Sequence, residues 1–191
     1  MASPVVTRIP SDARRVAVRG TSGSGKSTMA AAIADARGLP HVELDSIMHQ
    51  PGWTPLPDDE FAARVDAVAA GPTWVVCGNY SRFTTSVLDR ADTIVLYDLP
   101  RPVVMWRIVR RTLRRISRRE VLWNGNRERW RNFFSLDPET SVIVWAWTTH
   151  GRRHAETLAF VADPPRDGLR IVHVASLADE RRVRDSLRGA R

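Results

Sequence analysis

One stretch of nine residues limits what this chain can fold into more than any other. Gly20-Thr21-Ser22-Gly23-Ser24-Gly25-Lys26-Ser27-Thr28 satisfies the spacing G-x-x-x-x-G-K-[ST] in full. Lys26 is also the only lysine in a chain with twenty-eight arginines. The exception has a physical reason. An ammonium on a flexible stem reaches between phosphate groups as a compact point charge, whereas a guanidinium is wider and committed to a planar fork.

The flanks of the loop agree with that reading. Arg15-Val16-Ala17-Val18-Arg19 is a short β-branched run and predicts a buried strand ending at the loop. The alanine-rich segment after it, with Met29, Ile33 and Ala36 at helical spacing, predicts a helix that ends at Gly38 with Pro40 just beyond. Strand, glycine loop and helix together turn backbone N–H groups and a helix N-terminus toward a polyphosphate. The competing dinucleotide pattern G-x-G-x-x-G fails, because Thr28 occupies its third glycine position.

Bulk properties narrow the class further. A length of 191 residues suits one domain over residues 1–191. A single cysteine, Cys77, excludes an internal disulfide and suits a reducing compartment. No stretch approaches a membrane span or a signal sequence, so a cytoplasmic protein with no membrane partner is expected. The net charge of +8 fits polyanionic ligands. By itself it does not decide between nucleotides and nucleic acid.

Five strand candidates alternate with helical patterns, at residues 15–20, 41–45, 74–78, 93–99 and 169–175. The alternation predicts an α/β, three-layer fold with a parallel five-stranded sheet. After Pro100-Arg101-Pro102, a helix is expected to bury the stripe Trp106, Val109, Leu113 and Ile116. Seven arginines from Arg107 to Arg119 cover the rest of it. Residues 122–136, rich in tryptophan and arginine and broken by Asn124-Gly125-Asn126, read as a mobile cover. A long helix is expected over residues 138–162, with at least one of Trp145 and Trp147 in the core. Ser176 before Asp179 and Glu180 predicts a capped final helix.

Several of these groups coincide with a known pattern. The loop, Leu44-Asp45 followed by Pro51-Gly52-Trp53, the run Trp74-Val75-Val76-Cys77-Gly78-Asn79-Tyr80-Ser81, and Ala91-Asp92-Thr93-Ile94-Val95 resemble the adenylate-kinase-like P-loop NTPases of the topology modulation (FlaR-like) family. Leu122-Trp123-Asn124-Gly125-Asn126-Arg127-Glu128 is similar to an actinobacterial branch of that group. The resemblance implies a nucleoside-monophosphate-kinase-like fold that binds ATP with Mg2+ and closes an arginine-rich lid over residues 107–136. Many relatives carry an aspartate before Gly-Asn-Tyr, where a carboxylate orders Mg2+ through water. Here that residue is Cys77, a poor partner for a hard cation, so Asp45 or Asp98 would have to substitute or metal binding would weaken.

The candidate site follows from residues and resemblance together. Gly20, Ser22, Gly23, Ser24, Gly25, Lys26, Ser27 and Thr28 are expected to bind the nucleotide, with Lys26 countering charge on the transferred group and Ser27 a metal ligand. The resemblance implies that one or two of Arg110, Arg111, Arg114, Arg115, Arg118 and Arg119 clamp phosphate, the rest being solvated; Arg111 and Arg115 are the candidates carried into the site. Asp45 is the expected acid-base or acceptor-fixing residue, and capping a turn is its structural alternative. Trp53, Asn79, Tyr80 and Arg82 are candidate acceptor contacts. For Trp53, pinning its turn onto the core is as good a reading. The expected activity is transfer of a γ-phosphoryl group to a small acceptor: a nucleoside, nucleotide or other hydroxyl compound. The alternative is an ATP-binding regulatory or nucleic-acid-associated protein with little catalysis.

Overall fold

Short unbroken runs of valine and isoleucine make strands that bury both faces, which suits a parallel sheet covered by helices. The computed structural model describes residues 5–80, 82–128, 130–138 and 140–188, so Ser81 of the motif above lies outside the described residues. Its strands are β1 (Val5–Val6), β2 (Arg15–Gly20), β3 (His41–Glu43), β4 (Trp74–Cys77), β5 (Thr93–Tyr97) and β6 (Arg170–Val174). They form one sheet in the order β1-β6-β5-β2-β4-β3, with every pairing parallel. The sheet therefore has six strands rather than five. The extra strand is a two-residue edge segment against β6, too short for any periodicity to reveal.

The helices are α1 (Lys26–Arg37), α2 (Leu44–Met48), α3 (Asp58–Ala69), α4 (Thr85–Arg90), α5 (Arg101–Ser117), α6 (Trp130–Phe134), α7 (Val142–Ala162) and α8 (Leu177–Arg188). Alternation along the strands sorts their side chains into two cores. Val16 and Val18 of β2 pack with Met29 and Ile33 of α1 and with Val183 and Leu187 of α8. Ala17 between them faces the other way, toward Phe61 and Val65 of α3 and Val87 of α4. The result is the expected α/β three-layer arrangement. Among the described residues no helix is long and apolar enough to cross a membrane.

Three local expectations change. The strand expected over residues 41–45 stops at Glu43, and Leu44 opens α2. Ser46 Oγ donates to the Glu43 carbonyl at 2.6 Å, which supports the turn into the helix. Asp45 thus sits in the first turn of a short helix, not at a strand end. Second, the buried face of α5 is Val104, Ile108, Thr112 and Ile116, whereas Trp106 is 62% exposed beneath the Arg110 guanidinium. The helix is rotated because its buried face must meet the glycine loop: a Cβ on Gly23 would lie 2.8 Å from Ile108 Cβ. Third, α7 begins at Val142, where Ser141 caps it by accepting from the Val144 amide. Trp145 and Trp147 both stay exposed, the latter under Arg101. The expected final helix forms with its cap, the Asp179 amide donating to Ser176 Oγ at 3.1 Å.

Candidate functional site

The glycine loop joins β2 to α1 and turns through positive φ at Gly23 (83°) and Gly25 (103°). Gly25 caps α1 without any side-chain hydrogen bond, so among the described residues the first-turn amides of Lys26, Ser27 and Thr28 have no side-chain acceptor. A helix N-terminus left in that state favours an anion. Thr21, Ser22, Gly23, Gly25, Lys26, Ser27 and Thr28 line a cleft of about 1800 Å³. Gly20 and Ser24 do not: Ser24 is fully buried, and its Oγ has no partner among the described residues.

Two side chains from distant elements hold the loop in shape. Asn79, just past β4, accepts from the Gly20 amide at 3.0 Å and donates Nδ2 to the Gly20 carbonyl at 2.7 Å. Its amide is therefore spent on the loop rather than presented to an acceptor. Arg107 of α5 donates to the Ser24 carbonyl at 2.8 Å and pairs with the buried Glu180 of α8 at 2.6 Å. Tyr97 donates to the same carboxylate at 3.3 Å. Arg107 is thereby a brace beneath the loop, a role that residue type and spacing do not disclose.

The same cleft carries Asp45, Tyr80 and Glu43. Tyr80 donates its hydroxyl to Asp45 Oδ1 at 2.7 Å. Burial, and the adjacent carboxylate, push the Tyr80 phenol far above its ordinary range, so it stays a donor. Tyr80 is in this way a holder of Asp45. Cys77 is buried, with Sγ 3.6 Å from Ser27 Oγ. Burial raises its thiol to about 11, so it is protonated near neutrality. Across the sheet Glu43 is in register with Cys77 and lines the cleft. Glu43 was not among the expected site residues; its only sequence signal is its position two residues before Asp45. Asp98 is occupied elsewhere, accepting from His154 at 2.8 Å and lying 3.3 Å from His173.

The arginines separate by partner. Arg115 is bound to Glu128 at 2.9 Å. Arg82 does not reach the cleft: its side chain is 82% exposed and faces Asp58 at 3.6 Å. Arg111 lines the cleft with no hydrogen bond or ion pair among the described residues, and its Nε is buried without a partner. Burial, then the neighbouring Arg115, lower its pKa from the ordinary arginine value, although Glu128 and then Asp45 lie near enough to oppose them. Arg111 thus lines the cleft with a buried Nε and no ion pair among the described residues, at a cost that a binding site explains. Trp53 also lines the cleft, at φ 64°, with its amide donating to Asn126 Oδ1 at 2.9 Å and its indole to the Arg127 carbonyl at 3.1 Å.

The donor chemistry fits a magnesium nucleotide. Ser27 Oγ and the carboxylates of Glu43 and Asp45 are hard oxygen donors in one cleft with the glycine loop. Among the described residues no group of three or more His, Cys, Asp or Glu gathers at a metal-binding spacing. Mg2+ does not require one, since it keeps waters and is held by one or two protein oxygens together with phosphates.

A parallel sheet with the glycine loop between β2 and α1 makes this a three-layer P-loop fold. Solved structures of similar shape are a gluconokinase from Sinorhizobium meliloti 1021 and a shikimate kinase from Bacteroides thetaiotaomicron. The first is 24% identical, with 96% of this chain and 93% of that one covered and a TM-score of 0.50. The second is 14% identical, with 92% and 95% covered and a TM-score of 0.53. No family model and no curated protein matches the sequence.

Proposed function

We propose that this chain is an ATP-dependent kinase that transfers the γ-phosphoryl group to a hydroxyl of a small polar acceptor. The observation that carries the reading is Asp45, a carboxylate in the same cleft as Lys26 and held by Tyr80 at 2.7 Å. A phosphate acceptor needs cations around it, whereas a hydroxyl acceptor needs a group to orient it and take its proton. The P-loop kinase fold and the resemblance to adenylate-kinase-like topology modulation proteins support ATP as the donor. The gluconokinase and shikimate kinase of similar fold are, by name, kinases of small molecules.

In this reading the first-turn amides of α1 and Lys26 hold the β- and γ-phosphates. Ser27 Oγ and the Glu43 carboxylate are the groups that would hold Mg2+, Glu43 supplying the charge that the Cys77 thiol cannot. When bound, the metal shields charge on the phosphates and orients them. Asp45 points the acceptor oxygen at phosphorus and accepts its proton. Arg111 is free to meet the negative charge of the transferred group, while Arg115 stays with Glu128. Trp53 and His49, 5.3 Å apart in an edge-to-face pair, form part of the acceptor wall. Residues 107–136 supply the arginine-rich side of the cleft.

The test is transfer from γ-labelled ATP with Mg2+ into pools of nucleosides, nucleoside monophosphates and small hydroxyl compounds, with Lys26→Ala and Asp45→Asn alongside. A labelled product that falls roughly hundredfold or more in both variants is expected. ATP binding without transfer into any pool would overturn the kinase reading and leave a regulatory nucleotide-binding protein.

A further inference from the structure

The turn at residues 123–127 is fastened to the acceptor side of the cleft rather than lying loose over it. Asn124, at φ 55°, donates Nδ2 to the carbonyls of Ser46 (3.0 Å) and His49 (2.7 Å). Asn126 is buried, donates Nδ2 to the Gln50 carbonyl at 2.9 Å and accepts from the Trp53 amide at 2.9 Å. The turn itself is closed by the Leu122 amide donating to the Asn126 carbonyl at 2.7 Å. These bonds fix Trp123, whose ring stacks on His49 and whose indole donates to Glu43 Oε2 at 2.8 Å. The Glu43 carboxylate has no other hydrogen-bond partner among the described residues.

The donor type matters. This chain is rich in arginine, and an arginine at this point would pair with Glu43 and cancel the charge a cation needs. An indole N–H is a neutral single donor: it fixes the orientation of the carboxylate and leaves its negative charge intact. Groups that orient a metal-side carboxylate in this way tune metal affinity without touching the metal. We propose that Trp123 is a positioning residue for Glu43, through which the 123–127 turn sets how tightly the protein–nucleotide complex holds its divalent cation. The proposal rests on the reading of the cleft as a magnesium-nucleotide site.

The test measures Mn2+ binding by electron paramagnetic resonance in the presence of the non-transferable analogue AMP-PNP, so turnover plays no part. Wild type, Glu43→Gln, Trp123→Phe and the double variant are compared. Each single variant should weaken Mn2+ binding roughly tenfold. The double variant should be no worse than Glu43→Gln, since one residue acts through the other. Asn124→Ala, which loosens the turn but keeps the indole, should shift binding in the same direction. AMP-PNP binding in EDTA should be equal in wild type and Trp123→Phe, which separates lost positioning from lost fold. Unchanged Mn2+ affinity in Trp123→Phe, or losses that multiply in the double variant, would overturn the role of Trp123 alone. Absence of Mn2+ binding to the wild type with AMP-PNP would remove the magnesium-nucleotide reading itself, and this inference with it.

Discussion

Arg111 shows how a single side chain is committed to a ligand at the expense of the fold. It lines the cleft with a buried Nε and no carboxylate of its own, while Arg107 and Arg115 a turn away on either side are both paired. Burying an unpaired cation opposes folding, so its removal should help the empty protein. Arg111→Met is expected to raise the melting temperature of the ligand-free protein by roughly 2–4 °C for each kcal/mol recovered, and to lower phosphoryl transfer. A calorimetric scan paired with the labelled-ATP assay checks both halves; a melting temperature that falls would mean the guanidinium has a structural partner after all. The sequence offered Arg111 together with Arg115 as candidates and could not separate the two. The seven arginines of this stretch share one residue type, and the placement of Glu180, Glu128 and Glu120 decides which of them are paired.

At the scale of elements, the site depends on how α5 and the 123–127 turn are seated. A Cβ on Gly23 would lie 2.8 Å from Ile108 Cβ and 3.0 Å from the Val104 carbonyl, with φ already at 83°. Gly23→Ala should therefore push α5 off the loop and weaken ATP binding. Gly38→Ala has open space at its Cβ and should cost only the strain of its left-handed backbone, φ 63°. Comparing ATP titrations of the two variants checks this; equal ATP affinity in both would show that the contact with α5 does not set the loop. In the turn, Asn126→Ala would strip the Trp53 amide and the Gln50 carbonyl of their partners. Both groups are half-buried, so a loss of about 1 kcal/mol per broken bond is expected, read from urea unfolding. Sequence pattern placed the helix over α5 correctly but not its rotation. Trp106 and Leu113 look like core on hydropathy, yet the helix buries Val104 and Ile108, because the contact that orients it is with a glycine far earlier in the chain.

For the molecule as a whole, three acidic groups give stability a direction with pH. Cys77 is raised to about 11, and Tyr80 and Tyr97 are both pushed well above their ordinary range, each chiefly by burial. The unfolded chain releases these protons first, so between about pH 9 and 11 it binds fewer protons than the native state and stability must fall as pH rises. A melting temperature that declines over that window is expected, with the decline smaller in Cys77→Ala. A flat profile would contradict the burial of these groups. What the sequence determined by itself was local: the glycine loop, the strand before it, the helix after it, the caps at Gly38 and Ser176, and the alternation that makes a parallel three-layer fold. Those follow from backbone preference and side-chain period within a few neighbouring residues. Only the tertiary structure decided that Asn79 and Arg107 hold the loop, that Tyr80 holds Asp45, and that Glu43 faces Cys77 beneath the indole of Trp123. These partners stand 34 to 83 positions apart along the chain. No local pattern encodes which distant side chain will fill a given hydrogen bond; the packing of the layers brings the pairs together.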